Sequence, residues 1–269
     1  MYRLMKKTSL IAALVMAMST AAAAGPADHE TTLTVLTGHK TKSGSIMAGI
    51  RIDLAQGWKT YWRAPGDAGI PPLFQWGNSD NINAIAFHWP VPEVMDQGGM
   101  RAIGYHDSVT IPIELFPNAS GDMHLTGNLD IGICDEICVP ATFAIDATIV
   151  TNGTRNAAIS AALLNQPMTA AEASVGAVTC TLAPIDGGMQ ITTVAALAQT
   201  GGQEAVIIET ADPYVWVSEP KVTRSATHIT ATSDLIHANG SSFAVDRSGI
   251  RMTVLGQGRA VDIQGCSAG

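Results

Sequence analysis

The sequence predicts an all-β protein made of two β-sandwich domains joined by a short helical segment. Apolar and polar residues alternate over many short runs, and glycine, proline, asparagine and aspartate separate these runs, as is typical of half-buried antiparallel strands. One alanine-rich stretch near the middle of the chain replaces this pattern with helical spacing. A chain of 269 residues is long enough for two such domains.

The first 24 residues have the layout of a secretory signal peptide. Arg3, Lys6 and Lys7 precede an apolar run over residues 10–18, and small residues at positions 21–24 suit a cleavage site. The apolar run is shorter than the roughly 20 residues that span a bilayer. We therefore expect export to the periplasm and, at most, peripheral contact with a membrane.

Residues 25–152 are expected to form the first sandwich, and residues 153–176 the helical linker. In the linker, Ile159, Leu163 and Leu164 have helical spacing, which predicts one or two short helices. Alternating apolar residues predict four strands of the first sandwich, at residues 45–54, 109–115, 123–133 and 143–149.

Residues 177–269 are expected to form the second sandwich. Short apolar runs recur there at a spacing of roughly 8–15 residues, as in many sandwich folds. The predicted strands are VTCTLA, GMQITTV, EAVIIET, YVWVSE, HITATS, SSFAVD, GIRMTVLG and RAVDIQG.

Charge and motifs exclude several classes of function. Without residues 1–24 the chain keeps 12 of its 15 basic residues and all 23 acidic ones, a formal charge of about −11. Such a surface argues against nucleic acid or anionic lipid as a partner. The chain also lacks the motifs of serine hydrolases, phosphate-binding loops, dinucleotide-binding folds and HExxH metalloproteases, and we expect no cofactor.

The four cysteines of an exported chain allow three disulfide pairings. A bond between Cys180 and Cys266 would close almost the whole second domain, and the chain-entropy model values a loop of that size at about 4.5 kcal/mol. The same model gives about 2 kcal/mol for a loop between Cys134 and Cys138. We therefore interpret the long bridge as structural. The weak stabilisation by the short bridge favours a redox role, although a plain staple remains open.

The residues between Cys134 and Cys138 bear on the direction of the chemistry. Asp135 and Glu136 place negative charge beside both sulfurs, which disfavours the thiolate form. Each sulfur is then a poor spontaneous nucleophile that exchanges mainly with a docked partner. That property suits a relay better than a strong oxidase.

A metal site is the alternative use of the cysteine pair. The spacing of Cys134 and Cys138 matches no standard zinc pattern, so the predicted site contains no metal. The corresponding function is a non-enzymatic envelope module, either a redox-inert scaffold or a copper-handling protein. Its candidate zinc or copper ligands beside the cysteines are His124, His106, His88, Met95 and Met100.

Four motifs follow one another in the first domain: GWKTYWRAPGDAGIPPLFQW (57–76), WPVPE (89–93), GYHDSVTIPIEL (104–115) and CDEICVP (134–140). In order and spacing they resemble the periplasmic N-terminal domain of the thiol:disulfide interchange protein DsbD and its ScsB-type relatives. The resemblance covers about residues 40–150. It implies an immunoglobulin-like sandwich for the first domain, and we expect the second domain to share that architecture.

The resemblance also implies a function, that of a component of a protein-disulfide reductase. Cys134 and Cys138 would pass reducing equivalents from a membrane-embedded electron donor to thioredoxin-like periplasmic proteins. Cys138 matches the family cysteine that forms the mixed disulfide, and Cys134 matches its resolving partner. The transmembrane and thioredoxin-like domains of DsbD are not matched here, so we expect the electron donor to be a separate protein.

The surroundings of the cysteines depart from the family pattern at one place. DsbD-type proteins shield the disulfide with an aromatic residue of a cap loop, whereas the matching stretch DQGGMRA (96–102) has glycines and Met100. Shielding is therefore left open. The candidate accessory residues are Asp96, Met100, Tyr105 and His106, with His106 as a possible proton partner.

Overall fold

The computed structural model describes residues 31–240 and 242–269, and almost all of their regular structure is β-strand. This confirms the predicted fold class. The predicted signal peptide lies outside the described residues. Within the described residues, no helix is both long enough and apolar enough to span a membrane.

The strands of residues 32–149 form two antiparallel sheets, which we call the first sandwich. One sheet has the order β1-β2-β8-β5, and the other has the order β10-β9-β3-β7-β6, with β4 also paired to β9. The bounds are β1 Thr32–Lys40, β2 Ile46–Asp53, β3 Lys59–Tyr61, β4 Leu73–Trp76, β5 Ile82–Phe87, β6 Glu93–Gln97, β7 Met100–His106, β8 Ser108–Pro117, β9 Met123–Cys134 and β10 Cys138–Ile149.

The core of the first sandwich lies between these two sheets. Ile50 and Ile111 from one sheet meet Leu125, Ile145 and others from the facing sheet, and all four side chains are buried. They are members of the alternating runs that predicted the strands. Alternation therefore identified the inward face of β2, β8, β9 and β10 correctly.

The strands of residues 168–268 form two further sheets, which we call the second sandwich. Their orders are β11-β19-β18-β14 and β15-β17-β13-β12-β20, with β16 also paired to β17. The bounds are β11 Met168–Thr169, β12 Val178–Ile185, β13 Gly188–Ala196, β14 Ala205–Glu209, β15 Val215–Val217, β16 Lys221–Arg224, β17 His228–His237, β18 Arg251–Gly256, β19 Arg259–Gln264 and β20 Ser267–Ala268.

One predicted strand of the second sandwich is wrong. Residues 242–246 belong to none of the strands in the described part of the chain. Phe243 and Val245 pack against the core of the second sandwich, so their alternation reflects burial without strand pairing. Asp246 then accepts a hydrogen bond from the Ser248 backbone N–H and begins a short 3-10 turn at residues 247–249.

The linker contains one short helix, in agreement with the predicted one or two. Helix α1, Ala157–Leu164, begins where the Asn156 side chain accepts hydrogen bonds from two backbone N–H groups of its first turn. It ends at Asn165, two residues before Pro167, which lacks the N–H that a continuing helix needs. Chain that was expected to be helical instead forms β11, which pairs in parallel with β19.

The two sandwiches share an apolar interface. Along β14, Val206 and Ile208 face the core of the second sandwich, whereas Ala205 and Ile207 belong to the core cluster of the first. Leu255 of β18 joins that first cluster as well. The sheet that contains β14 is therefore buried on both faces, one against each sandwich core.

Candidate redox site

The cysteine pair lies at the turn of the β9–β10 hairpin. Cys134 ends β9, Cys138 begins β10, and the two residues are direct cross-strand partners. Their Cα atoms are 4.1 Å apart, and a disulfide joins their sulfurs. Residues 135–137 form the exposed turn between them.

The disulfide lies on the outer face of its sheet. Direct cross-strand partners point to the same face, and neighbours along a strand point to opposite faces. Lys59 is opposite Cys134, so Tyr61, two residues further along β3, shares that face. Thr60 is opposite Ile133, which points into the core of the first sandwich. The sulfurs are thus separated from the main core by the thickness of the sheet.

Tyr61 and Gln97 form a polar cover over the disulfide. The Tyr61 hydroxyl lies 2.9 Å from Cys134 Sγ and 3.2 Å from Cys138 Sγ. It also lies 2.9 Å from Gln97 Oε1, to which it can donate, and Gln97 Nε2 donates to Cys138 Sγ over 3.1 Å. We refer to these two side chains as the cover.

Tyr61 is held in its protonated form. Burial raises the pKa of its phenol above the ordinary value, and the hydrogen bond with Gln97 opposes only part of this effect. Disulfide sulfurs carry no hydrogen and the hydroxyl carries one, so at any moment the hydroxyl donates to Gln97 Oε1 or to one of the two sulfurs. The cover therefore places two donor groups, one hydroxyl and one amide, within hydrogen-bond distance of the sulfurs.

The two sulfurs differ in access. Cys134 is 0% exposed and packs in a small cluster with Tyr61, Met95 and Ala102. Cys138 is only partly buried at the edge of this cluster. Beside it, Ile137 at the tip of the turn is 76% exposed. A reagent or protein that approaches from solvent therefore meets Cys138 first.

The predicted accessory residues Asp96 and Met100 lie at the tip of the β6–β7 hairpin. Gly98 and Gly99 form its turn with positive φ, and Asp96 Oδ1 accepts a hydrogen bond from the Gly99 N–H over 3.2 Å. Met100 is 54% exposed. Gln97, between them in sequence, donates a hydrogen bond to Cys138 Sγ, whereas Met95 and Ala102 of the same hairpin pack against Cys134.

The other two accessory candidates, Tyr105 and His106, are neighbours in β7 and therefore point to opposite faces of the sheet. Tyr105 belongs to the core of the first sandwich, where its hydroxyl donates to the Pro90 carbonyl over 2.9 Å. His106 lies on the outer face, opposite Lys59, and its Nδ1 lies 2.9 Å from Glu93 Oε2. Lys59 therefore stands between His106 and Cys134 in the ladder.

The candidate metal ligands are dispersed. His124 lies near the opposite end of β9 from Cys134, and its Nε2 lies 3.1 Å from Asp146. His88 Nε2 lies 3.2 Å from Glu114 in a different sheet. Among residues 31–240 and 242–269, no group of three or more histidine, cysteine, aspartate or glutamate side chains is arranged to hold a metal ion.

The second disulfide joins Cys180 of β12 to Cys266, next to β20. Its Cα atoms are 5.7 Å apart, and Cys180 is completely buried in the core of the second sandwich. The backbone around it is also tied down, because the Cys266 N–H donates to the Arg247 carbonyl and the Gly269 N–H donates to the Cys180 carbonyl.

Comparison with known proteins relates the first sandwich to a redox family. Residues 31–148 match the family model of the N-terminal part of the thiol:disulfide interchange protein DsbD. This match supports a thiol–disulfide interchange domain at residues 31–148. A search of curated proteins found no significant match.

Two solved structures are also similar. The N-terminal periplasmic domain of ScsB from Proteus mirabilis aligns over 89% of this chain and 94% of its own, with 23% identity and a TM-score of 0.66. This similarity supports the same overall fold across both sandwiches. The DsbD N-terminal domain of Neisseria meningitidis, in its reduced form, aligns over 47% of this chain and 89% of its own, with 17% identity and a TM-score of 0.30.

Proposed function

We propose that the first sandwich, whose residues 31–148 match the DsbD N-terminal family, is a periplasmic thiol–disulfide interchange domain that uses Cys134 and Cys138. It would carry reducing equivalents between a membrane-embedded donor and thioredoxin-like or other envelope proteins. We further propose domain boundaries at residues 25–152, 153–176 and 177–269, after a signal peptide at residues 1–24.

The observation that carries this proposal is the position of the disulfide. A bond that closes only the tight turn of a hairpin adds little to the cohesion of the sandwich. It lies on the outer face of the sheet and joins one buried cysteine to one partly buried cysteine. Thiol–disulfide exchange needs one accessible sulfur and a second sulfur close enough to displace the partner.

The first step would be attack at Cys138. A partner thiolate bonds to Cys138 Sγ, the Cys134–Cys138 bond breaks, and the electron pair of that bond leaves on Cys134 as a thiolate. The Tyr61 hydroxyl, 2.9 Å from Cys134 Sγ, is positioned to donate a hydrogen bond to this leaving group. A second thiolate of the partner then attacks the partner's own sulfur in the mixed disulfide and releases Cys138.

The reverse sequence would pass the electrons onward. The Cys138 thiolate attacks the disulfide of an acceptor, and the Cys134 thiolate then attacks Cys138 Sγ, which restores the intramolecular bond and releases the reduced acceptor. Gln97 Nε2, 3.1 Å from Cys138 Sγ, can donate to the Cys138 thiolate before it attacks. Each cysteine thus has a different donor for its charged form.

Trapping tests the proposal. A Cys134→Ala variant keeps the accessible sulfur but cannot resolve a mixed disulfide, so it should accumulate a covalent complex through Cys138 in cell envelopes. The complex is detected as a band of higher mass that disappears on reduction, and mass spectrometry of the band identifies the partner. The matched Cys138→Ala variant should trap much less, because Cys134 is buried.

Two results would count against the proposal. If Cys138→Ala traps the partner and Cys134→Ala does not, the roles of the two cysteines are exchanged. If neither variant traps a partner that carries a redox-active cysteine, the disulfide is a structural staple and the proposed function is wrong.

A further inference from the structure

Two arginines of the first sandwich bind carboxylates of the second. Arg63 Nε and Nη2 donate to the two oxygens of Glu209, at the end of β14, over 3.0 and 2.9 Å. The Arg63 side chain is only 13% exposed, and its Nη2 also donates to Thr253 of β18. A bidentate pair with this degree of burial fixes both distance and orientation.

Arg101 makes the other contact. Its Nη2 lies 2.8 Å from Glu219 Oε1, in the loop between β15 and β16. Glu219 is 42% exposed, so this pair is weaker than the Arg63 pair. Because the interface between the sandwiches is otherwise apolar at β14 and β18, the two arginines mark two separate polar anchors.

Both anchors lie next to the cover in sequence. Arg63 follows Tyr61 by two residues, and Arg101 lies in β7, opposite Asp96 and therefore one ladder position from Gln97. Hydrogen bonds tie the two segments together. The Trp62 N–H donates to the Ile103 carbonyl over 2.9 Å, and the Arg101 carbonyl accepts from the Ala68 N–H over 3.4 Å.

The geometry points to a role for the second sandwich: we infer that Arg63 and Arg101 are positioning residues through which the second sandwich holds the cover closed over the disulfide. Arg63 fixes the end of the Tyr61 segment from one side. Arg101 fixes the β6–β7 hairpin from the other side, close to its tip, where Gln97 lies. Release of either anchor lets Tyr61 or Gln97 leave the sulfurs more often and exposes the bond to attack.

This inference rests on the proposed function, because the frequency of cover opening matters only for a disulfide that exchanges. Its test needs no protein partner. The full-length variants Glu219→Gln and Glu209→Gln, singly and together, keep side-chain size but remove the charge that binds each arginine. The measured quantity is the rate at which a small neutral thiol, dithiothreitol, reduces the Cys134–Cys138 disulfide.

We expect reduction to become about threefold faster in Glu219→Gln and about tenfold faster in the double variant, as the anchoring ion pairs weaken. Hydrogen exchange of the β6–β7 amides should accelerate in parallel. Arg101→Lys, which retains a cation opposite Glu219, should stay close to the wild-type rate. A purely structural contact would not respond to charge in this way.

The control is Asp53→Asn. Asp53 pairs with Arg51 within β2 of the first sandwich, so its loss removes an ion pair without touching the interface. It should leave the reduction rate unchanged. The inference is overturned if the double variant and the folded Glu219→Gln variant are both reduced at the wild-type rate and amide exchange in the β6–β7 hairpin is unchanged. Such a result would leave the trapping experiment unaffected, so the two failures can be told apart.

Discussion

Each of the two disulfides joins a fully buried cysteine to a partly buried one, but the two bonds differ in loop length and in their place in the fold. Cys134–Cys138 spans four positions in sequence, whereas Cys180–Cys266 spans 86. The first lies on the outer face of a sheet with one sulfur partly open to solvent. In the second, Cys180 lies in the core of the second sandwich, and backbone hydrogen bonds hold the chain on both sides of the bond.

This difference teaches that a disulfide's role follows from what it restrains and what can reach it. The long bridge removes many conformations from the unfolded chain, and the backbone around its partly buried cysteine, Cys266, is held by a hydrogen bond to the Arg247 carbonyl. The short bridge restrains little, but it is presented at a turn beside exposed apolar side chains and under donors that stabilise negative sulfur. Under the proposed function, the long bridge serves stability and the short bridge serves exchange.

Unfolding measurements test this difference between the two disulfides most clearly. The Cys180→Ala, Cys266→Ala double variant should lose about 4.5 kcal/mol in its free energy of unfolding, because the large loop is no longer closed in the unfolded chain. The Cys134→Ala, Cys138→Ala double variant should lose about 2 kcal/mol or less. Urea unfolding without reductant, followed by circular dichroism, measures both. Equal losses would show that the hairpin bond is as structural as the long one.

A smaller effect is expected from the cover. Tyr61→Phe keeps the ring over the disulfide but removes the hydroxyl that lies 2.9 Å from Cys134 Sγ. Exchange with a dithiol should therefore slow about tenfold, because the bond stays covered while the leaving thiolate loses a hydrogen bond. Burial keeps the phenol protonated beyond its ordinary pKa, so the ratio of wild-type to variant rates should persist up to about pH 10. Stopped-flow kinetics over a pH series provides the measurement.

Tyr105→Phe is the matched control for that variant. Tyr105 is also buried, but its hydroxyl donates to the Pro90 backbone carbonyl on the inner side of the sheet. Its removal should leave the exchange rate unchanged. If the Tyr105 variant slows exchange as much as the Tyr61 variant does, the effect comes from general loosening of the fold and not from the donor at the sulfur.

The predicted fold depended on periodicity, which identified four of the strands β1–β10. The strands β2, β8, β9 and β10 carry apolar residues at alternating core positions, and each is present, whereas strands such as β3 and β4 were not predicted. Alternation failed at residues 242–246, because burial of Phe243 and Val245 produces the same pattern without a partner strand. The short helix of the linker is present as predicted, but alanine content cannot reveal that the chain after Pro167 finds a strand partner in β19.

The candidate site was predicted less completely. The cysteine pair was evident from its own spacing, but the cover was not, because Tyr61 and Gln97 lie 73 and 37 positions before Cys134 and meet it only through the register of β3, β7 and β9. For Tyr61 the sequence offered a signal. Tyr61 belongs to the YWR stretch that carries the family resemblance, and alternation within β3 places it on the same face as Lys59, which lies opposite Cys134. Gln97 lies in the DQGGMRA stretch (96–102) that matches the cap loop of the family, but nothing in the sequence distinguished it there from Asp96 and Met100.

The reduction potentials of the two disulfides test the central claim most directly. They can be measured in one sample by redox titration, with alkylation and mass spectrometry to quantify each pair. The account predicts that Cys134–Cys138 equilibrates between about −180 and −270 mV, the range of exchanging protein dithiols, while Cys180–Cys266 stays oxidised to below about −300 mV. A value below about −300 mV for Cys134–Cys138 as well would contradict the account and make both disulfides structural.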